Sequence, residues 1–473
     1  MNAMSRHIDA MSQYIVVLSR CRKIAPRRRC ISPGPVEGVP VLILTALLFL
    51  APACDNRSDT IDTDGPPSSH PSDQPVAWTG ATVWTGTGET IPNAALIVEE
   101  GRVVDVFSLD DHSLPGHIRQ TRDASGRYIV PGLINAHGHV GIARGLETGE
   151  AARTAENIHS QLTLYARYGV TSVVSLDEPL VAFDVRNNQN PLHPGKARLY
   201  LSGPVLSPST PEEAVRDVNE LLQHDPDWVK IRVDDQLGRR TKMSPDIYGA
   251  VIRASREYST PVASHMVTLE DAKELLHRGT GLLAHSVRDR PVDDELISLM
   301  LERKVCITPT LTRELSVFVY ARRPDFFDDP FFLKYADPDV LEELQKPEIQ
   351  QRYTGRSADY YREALPVAID NMMALHRAGI PVAMGTDSGP PARFQGYFEH
   401  LEMEMMQDAG MQPEEVLASA TRIAARCMNI EYSGTLESGN LADFLLVDQD
   451  PLEDIRNLRS IQAVYIGGKP VER

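Results

Sequence analysis

Eight short apolar runs punctuate the middle of the chain, with helical patterns between most of them. They are "YIVPGLINAHGH", "GVTSVVSL", "ARLYLSG", "DWVKIRV", "TPVASH", "GLLAHS", "VCITPTL" and "IPVAMGTD". Runs this short and this apolar read as strands buried on both faces, as in a parallel sheet covered by helices. Thr210-Pro211-Glu212-Glu213 supplies a helix start: a capping hydroxyl, proline at the first helical position and a glutamate three residues on. "VTLEDAKELLHRG" ends in Gly279, which stops a helix because glycine takes left-handed backbone freely. Eight strand–helix units predict an α/β fold, a (β/α)8 TIM-like barrel, over residues 131–433.

Both flanks of that region read differently. "AWTGATVWTG", "NAALIVEEGRVVDVFS" and "RYIVPGL" precede it, and "GTLESGNLADFLLVDQDPL" and "SIQAVYIGGKPVER" follow it. These short β-like runs are broken by glycines and charged pairs. They predict a small β-sandwich domain built from both ends of the body, residues 76–130 and 434–473.

The first 53 residues carry a basic stretch, "RCRKIAPRRRC", and then an apolar run ending at Cys54. That run is shorter than the roughly 20 residues a spanning helix needs. It reads as an export signal over 1–53, resembling a bacterial lipoprotein signal with Cys54 as the acylated residue. An ordinary cleaved signal or a short anchor fits the same residues. Asp55 after the cysteine fits retention at the inner membrane, on the periplasmic side. Residues 54–75, "CDNRSDTIDTDGPPSSHPSDQP", are polar and Pro/Ser/Asp-rich, as a flexible linker is. The formal charge is −17, and it is near −22 once the first 53 residues, with seven Lys/Arg and two Asp/Glu, are set aside. So acidic a body repels phosphates and excludes nucleic acid as a partner. Cys306 and Cys427, far apart in the chain, read as small core residues, and no disulfide framework is implied.

The chemistry gathers at the C-terminal ends of the eight runs, where barrel enzymes keep their active sites. His137 and His139 alternate past Gly138 and so project from the same side of a strand. Lys230 lies inside an apolar run, which is costly unless the amine is paired or modified. His265, His285 and Asp387 close the fifth, sixth and eighth runs. Taken singly, each reads equally as a loop or edge residue. A shared end of one barrel makes them a candidate metal-binding group.

With these residues in view, the body from about Ala77 to Arg473 resembles the metal-dependent amidohydrolase superfamily, in its imidazolonepropionase-like and prolidase-like branch. The carrying motifs are "VPGLINAHGHV", "DWVKI", "MGTDSG", the helical "GYFEHLEMEMMQDAGMQPEEVLASATRIAARCMNI" and the closing "GTLESGNLADFLLVDQDPL". The resemblance implies two divalent metal ions, with zinc the first choice. His137, His139 and Asp387 would bind one and His265 and His285 the other. Lys230, carboxylated by CO2 to a carbamate, would bridge both. It further implies a metal-dependent hydrolase of C–N bonds in amide-like substrates (a dipeptide, an N-acyl amino acid or a cyclic amide). A metal-bridging hydroxide would attack, and Asp387 would carry the proton. A heterocycle deaminase of the same superfamily and a non-catalytic binding homologue are the alternatives. Asn135 stands where many relatives have aspartate.

On the substrate side, residues 312–365 form a long insertion with seven aromatics between Phe318 and Tyr335, in a chain of 6% aromatics. It is a candidate lid over a small-molecule pocket; packing of its own small core, or a contact within a homo-oligomer, fits the same pattern. Arg232, two residues after Lys230, is a candidate for a substrate carboxylate, or else a surface ion pair. His400 in "YFEHLE" is a candidate substrate-side residue or a structural histidine.

Overall fold

The structure, a computed structural model, describes residues 74–473. The expected export signal, the Cys54 anchor and the linker up to residue 73 lie outside the described residues. Seven of the eight apolar runs form parallel strands. Leu133–Gly138, Val170–Ser175 and Arg198–Leu201 make one sheet; Val229–Arg232, Val262–His265, Leu282–Ala284 and Cys306–Thr308 make another. Single bridges join the two, from Leu206 to Ile231, from Ile307 to Val382 and from Gly138 to Ser388. The strands thus follow one another round a TIM-barrel-like α/β fold whose ladders are interrupted.

The eighth run corrects the expectation of a regular strand. Residues 380–388 hydrogen-bond to both neighbours but form no continuous ladder, only isolated bridges at Val382 and Ser388. The cause is local. Thr386 and Asp387 both donate their N–H groups to the His137 carbonyl, at 3.1 and 2.6 Å. A two-to-one pairing of this kind breaks a ladder as a bulge does. Gly385 allows it, since a Cβ there would stand 2.9 Å from the His137 Cβ.

The helix signals act as expected. Thr210 accepts the Glu213 N–H at the start of Pro211–Leu221, and Gly279 ends Leu269–Arg278 with φ of 92°. Strand interiors such as Val173, Val229, Ile231 and Leu283 are fully buried against helix residues such as Leu162 and Leu275. Burial of each such side chain contributes about 1.5–3 kcal/mol.

The flanking strands join across the chain. Phe444–Val447 pairs antiparallel with Tyr128–Pro131, and the ladders continue to Val76–Trp84, Thr90–Glu99 and Arg102–Ser108 on one side and to Ile461–Ile466 on the other. With Gln120–Asp123 and Lys469–Pro470 these strands link into one eight-stranded sheet. Its own apolar cluster holds Trp78, Phe444 and Tyr465, with Trp78 edge-on to both other rings at 5.0 Å.

Cys306 and Cys427 are joined in a disulfide, which overturns their reading as unpaired core residues. Cys306 opens the seventh strand and Cys427 closes the helix Ala424–Cys427. A sequence separation of 121 hides a neighbourhood that only the closed fold creates.

Candidate metal centre

The first strand delivers His137 and His139, both buried, to one end of the ring. The eighth run brings Asp387 to meet them: its Oδ1 lies 2.6 Å from His139 Nε2 and 3.2 Å from His137 Nε2. Lys230 rises from the fourth strand to put Nζ 3.2 Å from the same His137 Nε2. The His285 ring lies 4.8 Å from that of His137, and the His265 ring 4.2 Å from that of His285. All six residues expected from the sequence therefore converge at one end of the ring.

The surrounding chain holds the ligands in place. Asn135 accepts the His137 N–H at 2.9 Å and donates to Glu399 at 2.6 Å. Glu399 also accepts from the Thr386 and Ser388 hydroxyls, at 2.7 and 2.6 Å, so one buried carboxylate ties the first strand to the eighth run. His285 Nδ1 meets the Thr310 hydroxyl at 2.7 Å, and His265 Nε2 meets Asp234 at 3.1 Å. Such partners fix which ring nitrogen is free. His285 and Asp387 both have left-handed backbone, φ of 77° and 57°. Non-glycine residues keep that conformation only where the fold imposes it, and functional sites are where such strain concentrates.

Electrostatics suits a cation. Burial holds His137 and His285 well below the usual histidine range and takes His265 to about 3, so the imidazoles stay neutral, the form that ligates. Burial also lowers the Lys230 amine to about 7. For Asp387, burial works toward protonation, but the Arg393 charge and the two histidines outweigh it and hold the carboxyl well below its ordinary value. The donor set passes a direct test of fit: ligand atoms of His137, His285 and Asp387 all lie within 4.8 Å of one another. Neutral imidazoles and a carboxylate suit zinc and similar ions.

A model of the amidohydrolase family matches residues 128–471. The chain belongs to the amidohydrolase family. It is similar to a 5-methylthioadenosine/S-adenosylhomocysteine deaminase of Bacillus cereus, 24% identical over 390 residues, covering 76% of this chain and 82% of the relative. An uncharacterized protein of Mycobacterium bovis is 24% identical over 356 residues, 73% of this chain and 85% of that one. Among solved structures, a Xaa-Pro dipeptidase with methionine bound in its active site superposes with a TM-score of 0.69 at 20% identity, over 85% of this chain and all of that one. At that identity the likeness speaks for the fold.

The remaining candidates of this amidohydrolase separate. Arg232 lies half-buried at the end of the fourth strand, and its buried Nε meets no hydrogen-bond partner among the described residues. His400 is not brought to the ligand group. Its Nε2 meets the Tyr168 carbonyl at 2.8 Å and its ring packs 4.8 Å from Phe331. In the 312–365 insertion, Tyr320, Phe327 and Phe332 are buried with Tyr397 and Phe398 in a cluster of their own. Phe332, Tyr335 and Val340 nonetheless wall a cavity of about 360 Å³, whose inner end is formed by Gly389, Arg393 and Gln395. None of the six ligand candidates lines that cavity, but Arg393, which contacts Asp387, does.

Several residues that matter here escaped sequence reasoning. Arg393 contacts Asp387 Oδ2 directly, and Arg313 stands 3.9 Å from the same oxygen. Glu314 pairs with Arg313 at 2.9 Å and with Arg288 at 2.5 Å. Glu399 and Glu402 flank His400 in "YFEHLEM", and two acids three apart between apolar residues were the available signal.

Proposed function

We propose that this amidohydrolase is an exported, metal-dependent hydrolase of C–N bonds in amide-like substrates: a dipeptide, an N-acyl amino acid or a cyclic amide. The carrying observation is Lys230, a fully enclosed amine 3.2 Å from a ligand imidazole. Among the described residues it forms no ion pair. An ammonium repels metal ions, whereas a carbamate, formed when the neutral amine adds CO2 and releases a proton, is an anionic oxygen ligand. His137, His139 and Asp387 would then hold one ion, His265 and His285 the other, and modified Lys230 both. When bound, the ions, zinc by preference, supply polarisation of the scissile carbonyl and a water acidified to near neutrality.

The protein's own groups do the rest. Asp387 takes the proton of the attacking water and passes it to the leaving nitrogen. Arg393, on Oδ2, fixes the carboxylate's rotation. Arg232, with donors unspent, is suited to a substrate carboxylate. The Cys306–Cys427 disulfide supports export, since the cytosol keeps thiols reduced. The periplasmic side of the membrane, with a lipid anchor at Cys54, is the location proposed.

Metal analysis together with turnover of dipeptides, N-acyl amino acids, lactams and lactones tests the reading. Close to two ions per chain with amide cleavage supports it. One ion with ammonia released from a heterocycle would make the chain a deaminase, and no ion a binding homologue.

A further inference from the structure

We infer that the cavity of about 360 Å³ beside the metal centre takes an anionic arm of the substrate, so that the preferred amides carry a carboxylate on the side of the scissile bond facing the eighth run. This rests on the hydrolase reading above and adds a substrate class to it. The cavity is lined by Arg144, Arg167 and Arg393, against a single acid, Asp337. In a chain of net charge −17 that is a local reversal of sign.

The three arginines are not equally committed. Arg393 belongs at once to the cavity and to the site, bonding Asp387 at one end and the Ser316 hydroxyl at 3.1 Å. Arg144 and Arg167 form no ion pair among the described residues. Arg167 is held by the Glu472 carbonyl at 3.3 Å and by the Tyr335 ring, 5.6 Å from its guanidinium carbon. It is thus preset while its charge stays unneutralised. Asp337 is spent on capping its own helix, accepting the Asp339 N–H at 3.0 Å. A carboxylate entering here meets the held Arg167 and the exposed Arg144, with no ion pair to break at either, against the one acid Asp337.

The position relative to the ligands decides what else the substrate carries. Gln395 donates to the His139 carbonyl at 2.7 Å, and Gly389 lies so close that a Cβ would stand 2.4 Å from that oxygen. The cavity's inner wall is therefore the outer surface of the metal-ligand loop. Arg232 stands across the ring, at the end of the fourth strand. A substrate lying over the ligands thus has an arginine available at each end, the pattern for an amide with a carboxylate on both sides of the bond.

Calorimetric titration of the metal-loaded full chain with glutarate and with glutaramide tests this without turnover. Glutarate is expected to bind at least tenfold more tightly, and the paired substitution Arg144→Gln, Arg167→Gln to remove most of that preference. Val340→Trp, which fills the cavity from another wall, is expected to weaken glutarate to a similar degree, so the test does not hang on one variant folding. Equal binding of the two ligands overturns the inference. So does a glutarate preference that survives both variants, because the metal ions alone would then explain it. Turnover of N-acyl amino acids in parallel judges the hydrolase reading separately: absent cleavage with an intact arginine-dependent preference sinks only that reading.

Discussion

Lys230 Nζ lies 3.2 Å from His137 Nε2, and among the described residues no carboxylate pairs with it. A buried, unpaired amine is among the more costly things a core can hold. The fold tolerates it at the one end of the ring where four imidazoles and a carboxylate also gather. Lys230→Met keeps the volume and removes the amine. The metal-free variant is expected to be as stable as the parent or about 1 kcal/mol more so, as when an unsatisfied polar group becomes apolar. Its metal content is expected to fall from the two ions per chain proposed above to one or fewer. Urea unfolding and elemental analysis check the two halves, and full metal loading would remove Lys230 from the ligand set.

Asp387→Asn addresses the proton. The amide keeps the side chain's shape but cannot take up a proton, and loss of a general base costs about 10²- to 10⁴-fold in rate. Arg393 loses its charge partner, so stability should drop by about 1–3 kcal/mol without unfolding the chain. Steady-state kinetics on the metal-loaded variant, beside a thermal melt, gives both numbers. Turnover at the parent's rate would end the role assigned to Asp387.

The ring of strands and its ligands were readable because both depend on local pattern. A run such as "DWVKIRV" carries its own strand signal, and a lysine inside it carries its own anomaly. What depends on closure was not readable. Asn135, Thr386, Ser388 and Glu399 meet only when the first strand lies beside the eighth run. Arg393 carries no signal of its own in the sequence; only the folded chain sets it against Asp387. His400 was the conspicuous member of "YFEHLE", yet it faces Tyr168, and its neighbour Glu399 is the one turned inward; helical periodicity alone does not say which face meets the strands. The eighth run was misjudged because its glycine and the doubled hydrogen bond to His137 break the ladder that its apolar pattern promised.

The disulfide makes a separate prediction. It closes a loop of 121 residues between the seventh strand and the helix Ala424–Cys427. Cross-links of this kind typically contribute 2–4 kcal/mol. Reduction, or Cys306→Ser with Cys427→Ser, is expected to lower stability by about that much. Cys306 sits at the start of its strand and the ligands at the other ends of theirs, so activity below the melting point should persist. Melts with and without reductant check the first claim and kinetics the second. An unchanged melt on reduction would mean that the two thiols are not joined.

Glu402 links stability to pH. Buried beneath the insertion, it accepts the Leu311 and Thr312 N–H groups and the Thr312 hydroxyl, all at 2.7 Å. Burial nevertheless dominates and raises its carboxyl from 4.5 to about 7. The folded protein therefore holds a proton that the unfolded chain has released across that window. Stability falls wherever the folded state binds more protons as pH rises, so this group's contribution declines from about pH 4.5 and is fully lost above about 7. The total is on the order of 3 kcal/mol. Glu402→Gln cannot titrate. It turns one N–H donor toward the backbone donors it faces, so it should be less stable overall, while the difference from the parent narrows as pH climbs from 4.5 to 7. Urea unfolding of both proteins at half-unit steps through that range measures the difference directly. A gap that stays constant across the window would show that Glu402 is ionised in the folded protein throughout.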